Sequence, residues 1–141
     1  MFETIRKILM HRFRVRKETA VLKWKGRFCP KIQKKLDLAQ KASFTCNAIQ
    51  SGPQKFEVSC RQGQVVVDVS KSKCTCRMWE LTGLPCPHAI RCIWQLSRRV
   101  EQYVDKCYEI GTYLAAYSSE VEPMVGPEYW LPSGKEPVLP P

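Results

Sequence analysis

Apolar residues in the first part of the chain recur with helical spacing. Phe2, Ile5, Leu9 and Phe13 fall at i, i+3, i+7 and i+11, which is one face of an amphipathic helix over residues 2–18. Arg6, Lys7, Arg14 and Lys17 lie mostly around the rest of that helix. Ile32, Leu36 and Ala39 mark a second helix over Lys31–Lys41, opened by Pro30, whose missing N–H is no loss at a helix start. The period then changes to two. Three strands are predicted, at Ser43–Ile49, Lys55–Cys60 and Gln64–Val69. In the second, Phe56, Val58 and Cys60 share one face while Lys55, Glu57 and Ser59 share the other; in the third, Val65, Val67 and Val69 share a face. Turns at Ser51–Gly52–Pro53 and through Gln62 and Gly63 make these an antiparallel meander.

Helical spacing returns with Ala89, Ile90, Ile93, Trp94 and Leu96, predicting a helix over Pro87–Val100, and with Val104, Tyr108, Tyr113 and Leu114, predicting another over Val104–Tyr117. From Glu122 onward the periodicity stops, and six of the ten prolines lie between Pro123 and Pro141. This segment reads as an extended tail, within which Tyr129, Trp130 and Leu131 are apolar enough to dock on the domain. The chain thus divides into a helical segment 1–41, a strand meander with following helices over 42–120, and a Pro-rich tail 121–141. The fold class is α+β, with a three-stranded antiparallel sheet and flanking helices.

Length and composition fit one modest domain: 141 residues, 44% hydrophobic and 26% charged. No apolar run approaches the ~20 residues needed to span a bilayer. Arg6, Lys7 and Arg12 interrupt the apolar positions near Met1, against a secretory leader, and no membrane partner is expected. Charge adds more. The net charge is +10, and residues 1–41 carry all of the excess, with 13 Lys and Arg against only Glu3, Glu18 and Asp37. Such a surplus favours a polyanion, nucleic acid before membrane; the bland alternative is a solvated basic face. The candidate contacts are Arg6, Lys7, Arg14, Arg16, Lys17, Lys23, Lys25 and Arg27. Trp24 interleaves with the last three, an arrangement that can grip single strands or backbone, although a Trp anchoring a loop on the core reads equally well. His11 has no ligand-type neighbour and defaults to a surface role.

Of the eight cysteines, Cys29, Cys46, Cys60 and Cys107 are scattered singly, while Cys74, Cys76, Cys86 and His88 form a C-x-C-x9-C-x-H pattern. In extended chain, positions i and i+2 project to the same side, so each pair can clamp one ion. Gly83 and Pro85 in the intervening loop can turn the chain back. Thiolate and imidazole suit Zn2+ in a closed four-ligand site, which leaves no position for an activated water, so the metal is expected to be structural. Unliganded core cysteines are one alternative. A Cys86–His88 nucleophile pair is another, but side chains two apart rarely make that contact and no orienting third group is evident. A reducing compartment with a metal accounts for the cysteines better than a disulfide framework. Cys92, one turn beyond His88, is expected to be a small buried hydrophobe, and Trp79 to pack rather than stack on a base. Lys73 and Arg77 flank the first clamp and join the candidate phosphate contacts.

The string CTCRMWELTGLPCPHAI resembles the SWIM-type zinc finger of plant Mutator-like transposases. That pattern runs C-x-C, an aromatic, then G-x-P-C-x-H-A, and Cys74, Cys76, Trp79, Gly83, Pro85, Cys86, His88 and Ala89 match it. MFETIRKILMHRF looks like the helical segment that follows the catalytic core in those proteins, and FEVSC and VVVDVSKSKCTC look like the strands before the finger. Tyr103 to Trp130 is similar to the region after it. The resemblance implies zinc, DNA association, a nuclear location and a plant source. Family transposases act through an RNase H-like domain with three metal-binding carboxylates, for which this chain has no room. It is therefore expected to be a C-terminal transposase fragment, non-catalytic by itself and without catalytic residues. A zinc-stabilised protein–protein interaction module is the rival expectation.

Overall fold

A computed structural model of the chain describes residues 2–61, 63–131 and 134. The long helix α1 runs over Phe2–Lys23, and α2 over Pro30–Ser43 with Pro30 at its opening. Strands β1 (Asn47–Gln50), β2 (Lys55–Cys60), β3 (Gly63–Asp68) and β4 (Lys73–Cys74) follow. Then come α3 (Met78–Thr82), α4 (Pro87–Gln95), 3-10 turns at Val100–Tyr103 and Lys106–Tyr108, α5 (Ile110–Ala116) and a last 3-10 turn at Pro127–Tyr129. Among the described residues no helix is long and apolar enough to cross a membrane.

The strands form one antiparallel sheet in chain order, β1-β2-β3-β4. Phe56, Val58, Val67 and Val69 point to the same side and are fully buried there against Ala89, Ile90 and Ile93 of α4. Leu36 of α2 and Trp79 of α3 close the core around α4. The α+β class read from the sequence holds, with one strand more than the three expected. The fourth is only two residues long, pairing Val67 with Cys74 and Asp68 with Lys73 after a turn in which Ser72 has positive φ. Two residues carry no alternation, so periodicity alone could not register it.

Other boundaries move for local reasons. The first strand starts at Asn47 because Ser43 closes α2: its buried hydroxyl donates to the Gln40 carbonyl, and the Thr45 hydroxyl to that of Ala42. α4 stops at Gln95, well before Val100. Ser97 takes a positive φ, and its N–H and that of Arg98 donate back to Trp94 and Ile93, a C-terminal cap that ends the helix. The helix expected over Val104–Tyr117 is split at Glu109, whose backbone is extended and bridges Phe28 in a short antiparallel contact. Cys29 N–H donates to Tyr108, Ile110 N–H to Arg27, and the Arg27 guanidinium to the Glu109 carboxylate. Phe28, buried at this junction, pins the two chain ends of the sheet unit together.

α1 is longer than expected, and most of it is exposed. Ala20 is its one buried residue, and Phe2, Ile5 and Leu9 of the predicted apolar face lie open to solvent, Phe2 at 87%. Phe13 packs edge-on against Tyr117 at 5.1 Å between ring centroids, and Trp24 lies 4.6 Å from Tyr113. The docking expected of Tyr129, Trp130 and Leu131 does not occur; all three are exposed, and the Trp130 indole donates to the nearby Val125 carbonyl. Gln62 in the second predicted turn, and 132, 133 and 135–141 of the Pro-rich tail, lie outside the described residues.

Candidate metal centre

Cys74 ends β4, where pairing with Val67 fixes its backbone and buries its side chain. The chain then turns sharply: Arg77 N–H donates to the Cys74 carbonyl and Arg77 takes a φ of 60°, which swings the half-buried Cys76 back beside Cys74. Five residues of α3 carry the chain away, and Gly83 reverses it at a φ of 68°. Cys86 sits at the mouth of α4 with an extended backbone, and Pro87 opens the helix. His88 thus projects from the first turn. Trp79, buried within the loop between the two pairs, donates its indole N–H to the Tyr103 carbonyl and packs against the Tyr103 ring. It braces the loop by packing and does not face outward to stack on a base.

The donor atoms of Cys74, Cys76, Cys86 and His88 all lie within 4.8 Å of one another. Cys74 Sγ is 3.8 Å from His88 Nδ1. A tetrahedron with metal–sulfur bonds of about 2.3 Å spaces its corners roughly 3.8 Å apart, so three thiols and an imidazole at these separations fit a zinc ion. The thiols compete for negative charge. Hydrogen bonds from Cys86 and then His88 overcome burial and draw the Cys74 thiol down to about 4. Cys86 is pushed up because it is held as the donor to that thiolate, and burial pushes Cys76 up. A dication bound here would take the place of the retained protons. Cys92 stands apart: it is fully buried in the core, its thiol is pushed up to about 12 by burial, and it belongs to no donor group.

The ten cations read as phosphate contacts divide into two sets. Arg6 forks onto Glu3 and donates to the Glu122 carbonyl; Arg16 donates to the Tyr117 hydroxyl; Lys17 reaches Ser118 and Glu120; Arg27 pairs with Glu109. Lys7 lies 3.6 Å from Glu3 and Arg14 3.9 Å from Glu18. Among the described residues Lys23, Lys25, Lys73 and Arg77 are exposed and make no side-chain ion pair or hydrogen bond. Lys73 and Arg77 sit on either side of the first ligand pair; Trp24 is turned onto Tyr113 and away from the role of a stacking platform.

Sequence reading missed one pairing. Cys46 and Cys60, read as scattered singly, are bonded to each other across the β1–β2 hairpin, so one disulfide stands beside the donor cluster where the spacing favoured a metal over a disulfide framework. The signal was present: the two lie the same distance in sequence on either side of Pro53, at the centre of the predicted turn.

Compared with known proteins, residues 56–94 match the family model of the SWIM zinc finger. That span holds β3, β4, α3, all but the end residues of β2 and α4, and all four donors. No curated protein and no solved structure matches the chain. The match and the donor cluster together point to zinc bound by this segment.

Proposed function

We propose that the chain is a DNA-associated zinc module derived from a plant Mutator-like transposase, acting in the nucleus and non-catalytic by itself. Zinc holds its shape by tying β4 to the start of α4, and its cations meet phosphates. The observation that carries this reading is the placement of exposed, unpaired Lys73 and Arg77 beside the ligand pair, with Lys23 and Lys25 at and just past the end of α1 within the strongly basic segment 1–41. The likeness of the ligand string to the finger of those transposases supports the origin. Phosphate neutralisation releases counterions, so duplex affinity falls steeply with salt.

The test is fluorescence anisotropy of a labelled duplex across a salt series. Binding should weaken linearly on logarithmic axes. Replacing Lys23, Lys25, Lys73 and Arg77 by Ala should flatten the slope by roughly three to four counterions, at about 0.9 per phosphate contact. Affinity indifferent to salt would sink the reading. A second reading, a protein-binding module, is favoured by the open apolar side chains of α1, Phe2, Ile5 and Leu9. It predicts a protein partner that stays bound in high salt with no shift of DNA.

A further inference from the structure

Two cysteines outside the metal centre meet right beside it. Cys46 precedes β1 by one residue and Cys60 ends β2, so they face each other one step beyond the Asn47–Ser59 pair. Their Cα atoms are 4.7 Å apart and their sulfurs are bonded. Those sulfurs and a ring nitrogen of His88 all lie within 4.8 Å of one another. His88 is therefore shared by two clusters, the donor set of the metal centre on one side and the Cys46–Cys60 pair on the other. The scaffold enforces this: β1 packs on α4, and α4 carries His88 in its first turn. Cys46 is buried, while Cys60 is half-open to solvent.

We propose that Cys46 and Cys60 form a reversible thiol–disulfide pair that sets how fast the neighbouring centre exchanges zinc. The proposal rests on the reading of Cys74, Cys76, Cys86 and His88 as zinc ligands. In the disulfide, each sulfur is bonded to the other and neither is a thiolate, so His88 has a single donor set. A small dithiol opens the pair: the S–S bond breaks, two electrons and two protons pass to the cysteines, and the reductant leaves as its own disulfide. A glutathione-type disulfide closes it again, releasing two thiols as one S–S bond forms. Once open, the pair places two soft sulfur donors within reach of His88, of the kind zinc accepts. Two donor sets then compete for one cation, and the cation is handed on more readily. The half-open Cys60 gives the exchanging thiol its point of entry, and in a reducing compartment the pair rests open.

The experiment uses the full chain loaded with zinc, which shields the four ligands. One half is treated with glutathione disulfide and the other with a dithiol, later removed, and alkylation mass confirms the state of Cys46 and Cys60. Zinc release to a chromogenic chelator is then timed. Release should be roughly tenfold faster from the dithiol form, in line with the effect of groups that contact a metal ligand. The double variant Cys46→Ser, Cys60→Ser should release slowly after either treatment. Equal rates from the two wild-type forms, with one zinc bound in each, would overturn the switch and leave the zinc centre standing. Failure of both forms to take up one zinc would instead remove the centre itself, and the switch with it. Should the variant not fold, the wild-type comparison still decides.

Discussion

At residue scale, Gly83 sits where two constraints meet. Its φ of 68° belongs to the left-handed region, and a Cβ there would lie 2.8 Å from the Cβ of Asp105. Alanine therefore has to distort the turn that brings Cys86 back to Cys74, or push the Asp105 loop outward. Gly83→Ala is expected to cost about 2 kcal/mol, measurable as a lowered urea midpoint of the zinc-loaded protein. The ligands themselves predict a pH dependence. Cys74 is already drawn down to about 4, so it is a thiolate throughout the neutral range. Cys76 and Cys86 are held above the ordinary thiol value and keep their protons without the metal. Zinc must displace those protons, so affinity rises with pH. A competition titration at pH 8 should give tighter binding than at pH 6, with proton uptake by the buffer on zinc addition. An unchanged constant would contradict the assignment of the two protonated thiols.

At the scale of elements, what repeated was legible and what occurred once was not. β2 was readable to the residue because Phe56 and Val58 alternate with exposed Lys55 and Glu57 over a full strand. The ligand quartet was readable because its spacing encodes a chelate. By contrast α3 is five residues held by its flanking turns, and β4 is a pair fixed by its neighbour. The split at Glu109 depends on Phe28, a residue distant in sequence, and no local pattern announces it. α1 shows the opposite failure, an apolar face read correctly as a pattern but mostly left unburied. Its hold on the domain depends on Phe13 and Trp24 against the tyrosines of α5 and its end. Trp24→Ala is expected to raise amide exchange along α1 while zinc stoichiometry stays at one. Loss of zinc in that variant would mean that α1 and the centre are a single cooperative unit.

For the whole molecule, the zinc centre and the hydrophobic core are one object. Cys74 and Cys86 are buried in the same cluster as Phe56, Val67 and Ile90, so the energy of binding the metal is spent on holding that cluster together. Chelation is expected to unfold residues 70–95 first. Near-UV dichroism should show it as loss of signal from Trp79, which is buried, and from Trp94, which packs against Phe44. An apo form with that signal unchanged would separate the core from the metal.

The clasp between Phe28 and Glu109 has one more implication. The chain enters and leaves the sheet-and-zinc unit at the same spot, one strand spacing apart, since Phe28 and Glu109 are bridged directly. A unit whose ends touch is portable: it can be set into a surface loop of a host protein without prying the host open, and it needs neither flanking helix to close. Residues 27–110 expressed alone should therefore fold on adding one equivalent of zinc, seen as a cooperative thermal transition absent from the apo fragment. In that sense the arms on either side of the clasp are attachments, and the part between them behaves as a cassette.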